Sequence, residues 1–141
     1  EFNVRMGDPE CQVILPRLKT DLIKIINNVV NNKLDRTIIN WHKKKSMTVV
    51  LCSKGYPGKY KKNKTIKNLD RIKLSKNDFI YHAGTKLEND QLKSNGGRVL
   101  NITSVGTDFL NIRKKIIKII KNINWKGGFF RRDIGWKIIN K

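Results

Sequence analysis

Cysteine is nearly absent: Cys11 and Cys52 stand far apart, with no C-x-x-C and no histidine at ligand spacing. That excludes a zinc knuckle or a disulfide framework and fits two small apolar fillers in a reducing cytosol. No run of 18 apolar residues occurs, so no stretch reads as a membrane-crossing helix, and no signal or transit segment is recognisable. Internal repeats and low-complexity runs are also missing. Acidic residues are few, 11 against 31 Lys and Arg in 141 residues, for a formal net charge of +20. Such a balance ordinarily makes nucleic acid the first partner to consider. Arginine, the cation best suited to reading base edges, supplies only 8 of those charges against 23 from lysine.

What is present is one domain's worth of chain, long enough to bury a core. Lys, Ile and Asn make up 58 of the 141 residues, as an A+T-rich genome would produce at tolerant exposed positions. The lysines are spread from Lys19 to Lys141, with clusters at Lys43–Lys45 and Lys59–Lys67, where Tyr60 could serve as a stacking platform. A basic nucleic-acid-binding module is therefore the alternative. Diffuse, solvated lysines are the preferred explanation, so nucleic acid and membrane are both set aside as partners.

Glu1-Phe2-Asn3-Val4-Arg5-Met6, read as a strand, puts Glu1, Asn3 and Arg5 on one face and Phe2, Val4 and Met6 on the other. A carboxylate and an amide oxygen two residues apart make a hard oxygen pair suited to Mg²⁺, with a fixed cation beside them. That row suits a metal-bound polyphosphate and the charge that moves in phosphoryl transfer. The same alternation describes any half-buried edge strand. Gly7-Asp8-Pro9-Glu10 then turns the chain.

Pro16 makes Cys11–Leu18 an extended or turning segment. Thr20 or Asp21 caps a helix with apolar residues Leu22 to Val30, and Thr37–Trp41 reads as a short strand. Met47–Cys52 has the composition of a fully buried strand. Gly55-Tyr56-Pro57-Gly58 is a turn. Asp78–Ala83 and Val99–Val105 read as an antiparallel pair joined by a polar connection over 88–94, which would bring Lys86 and Arg98 to one end of the sheet. With the N–H groups of Gly96 and Gly97, those cations would make a pocket for a phosphomonoester. Thr107 or Asp108 caps a second amphipathic helix running to Ile123. The aromatic, glycine-rich tail from Trp125 to Trp136 is expected to fold back over the site, held by Arg131, Arg132 and Asp133.

The run EFNVRMGDPE resembles the end of the ATP-grasp domain in the phosphoribosylamine-glycine ligase family. The likeness continues through Leu15–Leu22, Gly55–Gly58, His82–Lys86, Gly96–Leu100 and Trp125–Trp136, in the family's order and across the chain. Met6 stands where the family usually has Phe, an apolar exchange. The implied fold class is α+β: the end of an ATP-grasp domain (1–19), a linking helix and boundary (20–41), and a small, mainly antiparallel β-sheet domain covered by helices (42–141). The implied reaction joins glycine to 5-phosphoribosylamine through glycyl phosphate with ATP as co-substrate, in the cytoplasm. By position, Glu1 and Asn3 would hold Mg²⁺ or Mn²⁺, and Arg5 would stabilise the transferring phosphoryl group or hold the glycine carboxylate. Asp8 and Glu10 would meet the substrate or order the turn, while Lys86, Gly96, Gly97 and Arg98 would face the phosphorylated amine. The chain starts without Met and inside a site motif. It is therefore expected to be the C-terminal third or so of a longer enzyme, inactive without its N-terminal part.

Overall fold

The computed structural model describes residues 4–139. In chain order the elements are α1 (Cys11–Ile14), α2 (Leu22–Val30), β1 (Lys45–Ser53), β2 (Asp78–His82), β3 (Thr85–Glu88), β4 (Gln91–Ser94), β5 (Arg98–Gly106), α3 (Phe109–Asn122), β6 (Gly128–Phe129) and α4 (Trp136–Ile139). One antiparallel sheet has the order β2-β5-β1-β6, and β3-β4 is a separate hairpin. The expected α+β arrangement is what the chain adopts.

The two long strands β1 and β5 set the core by their register. Val49 lies opposite Ile102 and Leu51 opposite Leu100, so these side chains share a face. That face packs against Ile112, Ile116, Ile119 and Ile120 of α3. The isoleucines recur at helical spacing because each turn advances 3.6 residues, and Asp108 caps the helix by accepting from the Asn111 N–H at 2.8 Å. On the opposite face, Thr103 donates to Thr48 Oγ1 at 2.8 Å. Here α1 packs on β1 and β5, with Cys11 beside Tyr81, whose phenol is pushed up by burial and further by the Cys11 charge.

Several expectations need correction. Residues 4–10 form no strand: Val4 is fully exposed and Met6 is exposed, since no neighbouring strand pairs with them among the described residues. Cys11–Arg17 is helical, α1 running into a 3₁₀ turn over Leu15–Arg17. Pro16 falls in the first turn of that segment, where its missing N–H costs nothing. Thr37–Trp41 is not a strand but an irregular segment. Lys19 N–H donates to Asn40 O at 3.0 Å and His42 N–H to Arg17 O at 2.8 Å, and Ile38 and Trp41 stay exposed because no sheet face receives them. β1 is buried on one face and half-buried on the other.

Residues 88–94, expected as a polar connection, belong to the β3-β4 hairpin, which starts at Thr85. Asn89 and Asp90 both have positive φ, 49° and 56°, the geometry of a two-residue turn matched to strand twist. The tail also divides. Trp125–Phe129 reaches the Ser53 end of β1 through β6. Beyond it, a methyl group on Gly135 would touch Met47 Cε at 2.6 Å, so the last residues lie at the other end. Arg113, rather than a pair with Arg132, ties them down by donating to the carbonyls of Ile134 and Arg132. Among the described residues Arg131 and Asp133 pair only with each other.

Ile116 is wholly buried while Ile23 on α2 is 64% exposed, so the two helices contribute unequally. We expect Ile116→Ala to cost about 2–5 kcal/mol in urea unfolding and Ile23→Ser less than about 0.5 kcal/mol. Equal losses would show that α2 contributes to the core as much as α3.

Candidate functional site

The site is built at the end of the sheet where β1 finishes and β5 begins. The pairing slips between Leu51 and Cys52, so Cys52 lies opposite Arg98. Ser53, buried, then bonds across the gap: its N–H donates to Gly97 O at 2.7 Å and its hydroxyl to Gly96 O at 2.7 Å. The carbonyls of both glycines are thereby fixed. From the other side, Gly84 N–H donates to Arg98 O at 2.9 Å and Asn95 N–H to Gly84 O at 2.7 Å.

These bonds draw backbones together. A methyl carbon on Gly84 would lie 2.6 Å from Gly96 Cα, and one on Gly97 would lie 2.1 Å from Tyr56 Cδ2. Glycine is required at these positions by close approach rather than by positive φ. The Gly55–Gly58 turn, the His82–Lys86 run and the Gly96–Arg98 run thus meet at one place. Gly55 itself has φ 103°, and a side chain there would meet Lys59 O at 2.2 Å.

Arg98 carries the contact to the opening turn. Its Nη1 donates to Asp8 O at 2.7 Å, and its Nη2 stands 3.4 Å from Asp8 Oδ2. Asp8 Oδ1 also accepts from Gln12 Nε2 at 2.8 Å, and Glu10 Oε2 accepts from Gly7 N–H at 3.1 Å. Both carboxylates therefore order the turn. Burial pushes the Cys52 thiol up, and the guanidinium of Arg98 partly opposes it. Arg98 is about half exposed.

Lys86 leaves the sheet from the same end but faces a different partner. Its ammonium lies 2.7 Å from Glu88 Oε1, and Lys93 lies 2.7 Å from Glu88 Oε2. The structure thus joins Arg98 to Asp8, and Lys86 and Lys93 to Glu88. Among the described residues Arg5 donates only to the neighbouring Met6 O at 3.4 Å. Glu1 and Asn3 lie outside the described residues, among which no three of His, Cys, Asp and Glu gather as a metal site. Tyr56, Ser53 and Gly84 are the positions that composition did not single out. The signal available was the pair of small residues in His82-Ala83-Gly84 and Asn95-Gly96-Gly97, which permits backbone contact.

Hydrogen bonds from Lys86 and Lys93, with their charges, hold the Glu88 carboxyl down to about 2 from its ordinary 4.5. Its folded value is depressed, so the stabilisation is complete above the unfolded value and is lost as pH falls through about 2. Carbon-detected NMR of the Glu88 carboxyl should find a midpoint near pH 2, and Glu88→Gln should remove the acid-dependent part of hairpin stability. Titration near the ordinary value would mean that the pairs do not form in solution. Gly97→Ala should destabilise the chain by about 1–3 kcal/mol, and a large part should be recovered in a Tyr56→Ala background. Simple additivity in that cycle would rule out the Tyr56 contact.

The family model described as "Phosphoribosylglycinamide synthetase, C domain" matches residues 46–137. Phosphoribosylamine–glycine ligase, chloroplastic, of Arabidopsis thaliana is 42% identical over 143 residues, covering 100% of this chain and 27% of that protein. The phosphoribosylamine–glycine ligase of Agrobacterium fabrum is 42% identical, covering 99% of this chain and 32% of that protein. The crystal structure of phosphoribosylamine–glycine ligase from Thermotoga maritima superposes with a TM-score of 0.71 at 29% identity, covering 94% of this chain and 32% of that one. The chain spans about a third of the length of these relatives.

Proposed function

Because this chain belongs to the phosphoribosylglycinamide synthetase C-domain family, we propose that it serves as the C-terminal lobe of an ATP-dependent ligase joining glycine to 5-phosphoribosylamine. The observation that carries this beyond the family match is the bond from Arg98 to the Asp8 turn. It links the β-sheet lobe to the segment that resembles the end of an ATP-grasp domain. In this reading residues 1–19 close that domain, 20–41 connect it, and 42–141 form the lobe. The match over 46–137 supports the last boundary.

The chemistry requires a glycine carboxylate, a poor leaving group, to be activated by phosphorylation and then attacked by the amine. Positioning and charge stabilisation are what protein groups contribute to such steps. Glu1 and Asn3 would supply oxygens to Mg²⁺ or Mn²⁺, which when bound offsets the charge of the ATP phosphates. Arg5, a fixed cation on the same segment, would face the transferring phosphoryl group. A guanidinium has five N–H donors, and Arg98 uses only part of that fork on Asp8. The rest, half exposed, would hold the phosphate of the amine substrate beside Gly96 and Gly97. Lys86 would add long-range positive charge from the hairpin, its ammonium being bonded to Glu88. Asp8 would act by aiming Arg98 and Glu10 by fixing the turn. No helix among the described residues is long and apolar enough to cross a membrane, and the proposed setting is the cytoplasm.

The test is a chimera in which this chain replaces the matching C-terminal part of the Agrobacterium fabrum relative. Formation of glycinamide ribonucleotide from ATP, glycine and phosphoribosylamine is expected, and Arg98→Ala should raise KM for the phosphorylated amine about tenfold or more. A folded but inactive chimera would refute the reading, as would an Arg98→Ala effect confined to KM for ATP.

A further inference from the structure

Lys54, Lys59, Tyr60, Lys61 and Lys64, with Lys126 and Gly127 from the tail, line a cleft of about 440 Å³, and Trp125 lies behind it against Lys64 and Gly127. None of these residues enters the ligase reading. Five lysines line it without a carboxylate, and among the described residues none of the five forms an ion pair. Charge alone would not single it out on a chain of net charge +20. A larger cleft of about 500 Å³ near Arg71, Lys73, Lys115 and Lys118 is also cationic. That one contains Asp78, however. Burial raises its carboxyl, but hydrogen bonds from the Ser104 and Ser75 side chains and the Ser75 backbone outweigh this and keep it ionised. An anion there would meet a like charge.

Two further features mark the smaller cleft. Its walls are pinned by main-chain bonds: Lys54 N–H to Gly127 O at 2.9 Å at one side, and Asn63 N–H to Ser94 O at 2.7 Å with Ser94 N–H to Lys64 O at 2.9 Å at the other. Tyr60 is braced edge-on by Tyr56, with ring centroids 6.1 Å apart. The second feature is an unpaired donor. Trp125 is only 8% exposed, and its indole N–H has no acceptor among the described residues. A methyl group built on Gly127 would lie 3.1 Å from that nitrogen and 2.9 Å from Lys64 Cγ. The absence of a side chain at Gly127 therefore lets the Lys64 stem pack close to the indole N–H, so that one flexible side chain stands between the donor and the cleft. A buried donor without a partner carries an uncompensated desolvation penalty, which an anionic oxygen would relieve.

We propose that this cleft binds a small phosphorylated anion, with the Trp125 N–H as neutral donor at its floor, the lysines as counter-charges and Tyr60 as a face for an attached ring. Entry of the anion lifts the Lys64 stem from the indole. A short cleft tied at both sides suits a compact anion better than a polymer that must run through it.

The experiment uses the ¹⁵N-labelled 141-residue chain at fixed ionic strength, titrated separately with inorganic pyrophosphate, AMP and a ten-residue oligothymidylate. The indole resonances are assigned with Trp41→Phe and Trp136→Phe. The Trp125 indole proton should move downfield and saturate with pyrophosphate. The double variant Lys54→Gln/Lys64→Gln should weaken binding by at least about tenfold, and Lys59→Gln/Lys61→Gln should also weaken it. The charge-matched pair Lys114→Gln/Lys121→Gln on α3 should leave it unchanged. Tighter binding of AMP than pyrophosphate would assign the ring to Tyr60, and equal binding would assign the phosphate alone. The proposal fails if the Trp125 indole does not shift, or if the α3 variant weakens binding as much as the cleft variants. It fails too if the oligonucleotide alone binds, since diffuse attraction would then explain the charge.

Discussion

The approach of Gly84 to Gly96 governs the working end of this fold. With Cα atoms too close for a side chain on either residue, β2 leaves the sheet and β5 enters it through one narrow crossing. Everything near Arg98 follows. The chain between the two glycines is forced out as the β3-β4 hairpin, and Gly97, next in line, lies under the Tyr56 ring. Arg98 then emerges at the sheet end with its side chain directed at Asp8. A side chain larger than hydrogen at Gly84 would displace backbone rather than a flexible tip, so its cost would spread through all three loops.

Main-chain geometry, not ion pairing, holds this arrangement. The Arg98–Asp8 and Lys86–Glu88 pairs are substantially exposed, where solvent screens most of the attraction. By contrast, Ser53 is almost wholly buried and makes two bonds to Gly96 and Gly97. Leaving those carbonyls unpaired would cost about 1–3 kcal/mol apiece. Ser53 and the glycines thus set the position, and Arg98 uses it. This ordering explains why a functional arginine can remain half exposed without losing its direction.

The helices were largely legible in the sequence because α2 and α3 keep the 3.6-residue spacing and carry aspartate caps. The β2-β5 pair was legible because both segments are short runs rich in aromatic and β-branched residues. The β3-β4 hairpin was hidden by weak alternation, although Asn89-Asp90 is a turn that tolerates positive φ at both residues. Periodicity misled at Val4 and at Ile38, where alternation or branching implied strands but, among the described residues, no strand completes a ladder and only an isolated Leu18–Trp41 bridge forms. The proximity of Arg98 to Asp8 is beyond any local pattern, since 90 residues separate them. The resemblance placed both residues in one site without indicating that they bond to each other.

Charge illustrates the same distinction between number and position. A surplus of lysine reflects composition, and lysines scattered on a solvated helix such as α3 say little about ligands. In the cleft beside Trp125, the informative residues are not the lysines. Gly127 lets the Lys64 stem lie close to the indole, Ser94 and Gly127 anchor the walls, and the indole supplies a buried donor. Compositional drift could add or remove a lysine there without altering those three features. A site whose shape is set by glycine and main-chain bonds, with charge supplied by whichever cations border it, is therefore robust to the drift that makes the charge itself uninformative.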